Sequence, residues 1–169
     1  MNKILLPLTV VALCFGAQQV MAASDTATGT AKAKIITPLS ITAVTGSSGD
    51  MNFGTMLSTQ AHNVTLDTAN NRTGSVGAML VSDSSNPPHS GTFTINNGGT
   101  ASVAATLALP DSATISSGGT DLTVDNFSSN FSSPIATGNT TVSVGAVLHV
   151  TAGAAAGEYT GDYTLTLSY

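Results

Sequence analysis

The chain holds a single cysteine and no tryptophan, and charged residues make up only 8% of its 169 positions. So few Lys, Arg and Glu argue against an α-helical protein, because solvent-facing helix positions are normally filled by long charged side chains. Four Lys plus Arg stand against nine Asp plus Glu, for a formal charge of -5. With no basic stripe, a nucleic-acid surface is excluded. Catalytic constellations are missing too. His62, His89 and His149 are far apart with no His-x-x-x-His pair, and neither a Gly-x-Ser-x-Gly elbow nor a phosphate-binding loop with Lys occurs. Asp83, Asp121 and Asp125 are conceivable calcium ligands, but no Asp-x-Asp-x-Asp-Gly loop supports them. Asp121 and Asp125 read as solvated, without an evident charged partner, and His149 reads as a solvated residue on the polar face of a strand. The expectation is a non-enzyme with no cofactor and no metal.

What the chain does have is short hydroxyl side chains, with 20 Ser and 26 Thr. Thr suits strands and Ser suits turns, so composition points to an all-β domain. The N-terminus carries a second signal. Lys3 precedes an apolar run from Ile4 to Gly16, and Val20-Met21-Ala22 or Met21-Ala22-Ala23 offers small-residue cleavage sites. Residues 1–22 therefore read as a secretory signal peptide. The run is shorter than the roughly 20 residues a spanning helix needs, and no comparable stretch follows, so no membrane span is expected in the mature chain. Export through the inner membrane follows, with the periplasm as transit and the cell surface or medium as destination. Cleavage would remove Cys14 and leave Lys32, Lys34 and Arg72 as the cations, a mature charge of -6 with no disulfide.

Alternation of period two runs through the remaining chain. Val142, Val144, Ala146, Leu148 and Val150 share one face of a run from Thr140 to Thr151; Tyr163, Leu165, Leu167 and Tyr169 share one face of the last seven residues. These two runs read as neighbouring antiparallel strands, joined by the small, flexible segment Thr151 to Gly157. Phe93 and Ile95, the turn Asn97-Gly98-Gly99, and Val103 to Leu109 read as a hairpin. Shorter strands are expected at Asn63–Asp67, Val76–Ser82, Ala113–Ser116 and Leu122–Phe127, with loops at Asp83–Gly91 and Ser128–Gly138. Phe127 and Phe131 are expected to cap the core. The spacing suggests an antiparallel β-sandwich of immunoglobulin-like type, one domain over 38–169.

The segment before it is ambiguous. Residues 23–30 are small and polar, as in a tail. Ala31, Ala33, Ile35, Thr37, Leu39, Ile41 and Ala43 then share one face opposite Lys32, Lys34, Ile36, Pro38, Ser40 and Thr42. Pro38 lacks an amide donor, so the run is an edge strand or is bent in two. Residues 23–37 are either the domain's own first strand or an arm given to the next subunit by strand addition, in which Ala31, Ala33, Ile35 and Thr37 would enter a neighbour's groove. Lys32 and Lys34 on the other face would discourage uncontrolled edge pairing.

The ending Gly157-Glu158-Tyr159-Thr160-Gly161-Asp162-Tyr163 through Tyr169, after Gly145 to Val150, resembles the C-terminal end of secreted bacterial pilin-like β-sandwich proteins. Ala33 to Ile41 with Asn52-Phe53-Gly54 resembles their N-terminal end. The narrower resemblance is to a family catalogued as a bacterial secreted domain of unknown function. The wider one is to chaperone-usher pilins, whose ends carry a Gly and an aromatic residue twelve positions apart, as Gly157 and Tyr169 are. Here the aromatic residue is last rather than penultimate, and the pilin cysteine pair is absent. The resemblance implies a C-terminal edge motif of Gly157, Tyr159, Gly161, Tyr163 and Tyr169. Its implied partners are further copies of the chain or related subunits, and a periplasmic chaperone. A structural subunit of an appendage, coat or biofilm matrix is thus the expected function. The alternative is a monomeric secreted module that binds a glycan or cell-surface partner through the two loops.

Overall fold

The structure, a computed structural model, describes residues 25–44, 49–75 and 78–169. The expected signal peptide lies outside the described residues, as do Val76 and Gly77 of the strand expected at Val76–Ser82. Two units divide the chain at Lys34. In the first, residues 25–34 are exposed and belong to no strand. The second, Ile35–Tyr169, carries every strand among the described residues.

Among the described residues there is no helix, and every strand pairing is antiparallel. The strands are β1 (Ser40–Ala43), β2 (Met56–Leu57), β3 (His62–Leu66), β4 (Arg72–Gly74), β5 (Met79–Leu80), β6 (Gly91–Asn97), β7 (Thr106–Ala108), β8 (Ser112–Ser117), β9 (Thr120–Ser129), β10 (Gly138–Val150) and β11 (Thr166–Ser168). The all-β expectation therefore holds.

The alternating run at 140–151 became β10, which organises the main sheet. Its first half pairs with β6, and its second half pairs with β3 on one side and β9 on the other. Val144 is the register partner of both Gly91 in β6 and Ser129 in β9, so those strands lie on opposite sides of it. Consequently β6 and β3 follow one another along a single side of β10. β1 extends the sheet beyond β6, β4 beyond β3, and β8 beyond β9. The changeover falls at Gly145, where the register against β9 shifts. A Cβ there would stand 2.3 Å from the Leu66 carbonyl oxygen and within about 3 Å of the Asp67 backbone. Only glycine lets the backbones approach this closely.

Two apolar clusters result, one for each half of β10. Val142 packs with Leu39, Ile95, Ala105 and Ile135. Ala146, Leu148 and Val150 pack with Phe53, Val64, Leu66, Leu122 and Val124. Phe131 lies against the first cluster and Phe127 against the second, as expected. Phe127 has the same parity as the outward-facing Asp125, and reaches the core because Asn126 between them takes a left-handed φ of 49°. Buried Asn97 holds the end of the first cluster. Its side-chain amide donates to the Ala101 and Ile135 carbonyls at 3.0 and 3.1 Å, and its oxygen accepts from Gly99 N–H at 3.1 Å.

Four expected arrangements are corrected. The C-terminal strand does not neighbour β10: only 166–168 form β11, and its partner is β7. Residues 93–109 do not form a hairpin. β6 lies between β1 and β10, whereas Val103 bridges Ile135. Alternation shows which face a residue takes, not which strand lies beside it, and that explains both misreadings. The run 31–43 is a strand only from Ser40, after Pro38, and there it forms the edge strand β1. The expected strand Leu122–Phe127 is longer, running to Ser129, so the second loop starts at Asn130.

Candidate functional site

Beside the second core cluster lies an open cleft of about 1380 Å³. Ile115, Leu122, Val124, Leu148 and Val150 of β8, β9 and β10 contribute apolar side chains to its floor. Its walls are the segments 49–58 and 154–163. The walls meet at both ends. At one end Gly153 N–H donates to the Ser58 carbonyl and the Ser58 hydroxyl to the Ala154 carbonyl, at 2.6 and 2.8 Å. At the other the Tyr163 hydroxyl donates to the Gly49 carbonyl. The cleft is therefore a slot closed at both ends by contacts between its walls.

Each wall is bonded along its outer edge. In the first, Asn52 exchanges backbone hydrogen bonds with His89, Thr55 accepts from Val81 N–H, and β2 pairs with β5. The second is pinned to β8 by the exchange between Thr160 and Ser116, at 2.9 and 3.2 Å. Backbone groups alternate in direction along an extended chain, so those of Tyr159 and Gly161 point away from β8. Gly161 is required here because a Cβ would stand 2.1 Å from the Thr114 carbonyl oxygen.

Arg72 explains how the first wall keeps its shape. One Nη donates to the Phe53 and Thr55 carbonyls, both at 3.0 Å, and the other to the Val81 carbonyl at 2.8 Å. Gly54, at a φ of 72°, makes room: a Cβ would stand 2.5 Å from the guanidinium. Asn52 accepts from Gly54 N–H at 2.7 Å and donates to Asn86, while the Asp83 carboxylate accepts from Thr55 and Ser85. Those bonds, the Ser85 and Thr55 hydroxyls first, hold the Asp83 carboxyl below the usual range. At the β3–β4 turn Asn71, by side chain and backbone, does the same for Asp67. Any stability these carboxylates add is present above the ordinary carboxylate range and is lost as pH falls through their lowered values. The sequence showed Asn52-Phe53-Gly54 as a motif but not its cationic partner. The signal was present: Arg72 is the chain's one arginine, in a protein with little charge.

The four residues expected as an assembly strand lie in no strand. Ala31 and Ala33 are exposed outside any strand, Ile35 is 96% exposed, and Thr37 is exposed. Gly157, Tyr159, Gly161 and Tyr163 all belong to the second wall, whereas Tyr169 follows β11 and is 62% exposed. Tyr159 donates to the Ala155 carbonyl at 2.9 Å. The Tyr163 ring packs between Phe93 and Phe127, at centroid distances of 6.0 and 5.5 Å. Burial, aided by the negative charge of Asp50, pushes its phenol well above the ordinary value of 10.0. An unfolded tyrosine ionises near pH 10 while Tyr163 keeps its proton, so this tyrosine makes stability fall as pH rises above about 10. Thermal melts between pH 8 and 11 should show that decline, and Tyr163→Phe should flatten it while lowering stability at pH 8 by about 1 kcal/mol through the lost hydrogen bond. An unchanged slope would contradict the assignment.

On the other face of the sheet, His149 is not merely solvated. Register sets it abreast of Asn63 and Thr123. Its Nδ1 meets Asn63 Oδ1 at 3.0 Å and its Nε2 meets Asp125 Oδ1 at 2.7 Å, giving Asp125 the partner that the sequence did not reveal. Asp121 accepts from the Ser116 hydroxyl at 2.6 Å. Among the described residues, no group of three or more His, Cys, Asp or Glu could hold a metal ion, and no helix is long and apolar enough to cross a membrane.

Residues 39–169 match the domain of unknown function DUF4402. The chain belongs to this family. Its DUF4402 domain takes in every strand and both walls of the cleft, and the matched region starts immediately after Pro38. No curated protein and no solved structure matches the chain.

Proposed function

We propose that this chain is an exported structural subunit, a pilin-like sandwich short of one strand, that assembles by accepting the arm of another copy. The observation that carries the reading is the slot itself. Two walls, each bonded on its outer edge, flank a cleft over an apolar floor whose Leu122, Val124, Leu148 and Val150 are buried against the wall side chains Phe53 and Tyr159. A strand laid there would gain a backbone ladder and bury alternate side chains. The arm has the matching pattern, since 31–37 alternates yet lies in no strand, and Ile35 is 96% exposed. Seven extended residues span about 23 Å at roughly 3.3 Å each, a length comparable with the seven residues from Gly157 to Tyr163 in the second wall.

Donation from copy to copy does not close, so it builds a filament of the kind an appendage or coat requires. During export a chaperone of the periplasm would cover the slot. The test is the full chain, purified as an expressing bacterium processes it, concentrated stepwise and followed by size-exclusion chromatography and electron microscopy. Oligomer ladders or filaments that grow with concentration are expected. A monomer at every concentration would overturn the reading in favour of a module that binds other partners through its loops.

A further inference from the structure

We infer that the slot selects its occupant by charge: its outer rim is an acidic latch for Lys32 and Lys34 of a second copy. This rests on the proposed strand complementation and adds what fixes the arm's position. The arm holds two of the three cations expected in the mature chain, and the third, Arg72, is occupied with backbone carbonyls. Asp50, Glu158 and Asp162 line the slot and are all exposed, and neither lysine nor arginine lines it among the described residues.

Parity places the charges together. In the second wall Tyr159 and Tyr163 are half-buried, while Glu158, Thr160 and Asp162 face solvent. Directly opposed residues of paired strands share a face. An arm that turns Ala31, Ala33 and Ile35 to the floor must therefore set Lys32 and Lys34 on the face of Glu158 and Asp162. The lysines are two apart, so a pairing that sets either one opposite Glu158 or Asp162 leaves the other diagonal to an acid. The alternation that buries the apolar set thus also fixes which face the lysines take, because a slip of one residue would turn both lysines into the floor.

The test uses the full chain in three forms: natural, Lys32→Glu with Lys34→Glu, and that double change combined with Glu158→Lys and Asp162→Lys. Circular dichroism checks folding; the altered side chains are exposed, so all three should fold. The latch predicts that charge reversal weakens assembly at least about tenfold, that the swapped form recovers it, and that molar salt weakens the natural form as the screening length falls to about 3 Å. Natural and reversed chains that assemble equally well would overturn the latch and leave strand complementation standing. A natural chain that never assembles would overturn both. Reversal that lowers the melting temperature of a lasting monomer would show the slot filled by its own arm and overturn the second-copy occupant.

Discussion

Replacing Gly145 with alanine should lower stability by about 3 kcal/mol, the upper end for overpacking, although it adds a single methyl group. The methyl would stand 2.3 Å from the Leu66 carbonyl oxygen, with the Asp67 backbone next in its path. Contacts this short with the end of a flexible side chain can be relieved by a rotamer change. Here the obstacle is backbone at the end of β3, on the strand that carries the second core cluster. Relief means separating β3 from β10 where β10 passes from one set of neighbours to the next. For a domain of this size, about 3 kcal/mol corresponds to a fall in Tm of roughly 6–12 °C. Thr141→Ala, an exposed change on the same strand, should stay within about 0.5 kcal/mol. Equal melting temperatures for the two variants would show that the close approach at Gly145 does not govern the fold.

Ile35→Asp should separate assembly from folding. Ile35 is 96% exposed and outside any strand, so aspartate costs the isolated domain almost nothing, and its melting curve should match that of the natural chain. In the slot of a second copy the same position would lie over an apolar floor. There the change removes about 1.5–3 kcal/mol of burial and adds the larger cost of a desolvated carboxylate. At about 1.4 kcal/mol per tenfold, assembly should weaken at least a hundredfold. Chromatography over a concentration series reads the effect. If the variant assembles normally, residue 35 is not an anchor; if it loses thermal stability, the arm belongs to its own domain.

Much of this architecture was legible in the sequence because one face of each long strand is buried. The alternation of Val142 through Val150 located β10, and Val64 with Leu66 located β3. Pairing was not legible. Leu165 and Leu167 alternate as well as any core strand, yet β11 pairs with β7, because apolar alternation fits any sheet face. The parity change at Asn126 was hidden too, since a left-handed residue inside a strand leaves no hydrophobic signature. Of the candidate site, the arm and the C-terminal residues could be named in advance. The first wall could not: it depends on Arg72 meeting three carbonyls from distant segments, and spacing along the chain does not encode that convergence.

The most direct test of the central claim is a cross-link between two different molecules. Ile35→Cys would be placed in one preparation and Ala113→Cys or Ala154→Cys, both in the slot lining, in another, with Cys14→Ser in each. A disulfide forms only when the two Cα atoms come within about 7 Å. Mixed and mildly oxidised, the preparations should give a disulfide-linked heterodimer at one or both slot positions, together with extended oligomers. The absence of any heterodimer, with a bond forming only when both cysteines are placed in one chain, would contradict donation and return the arm to its own domain.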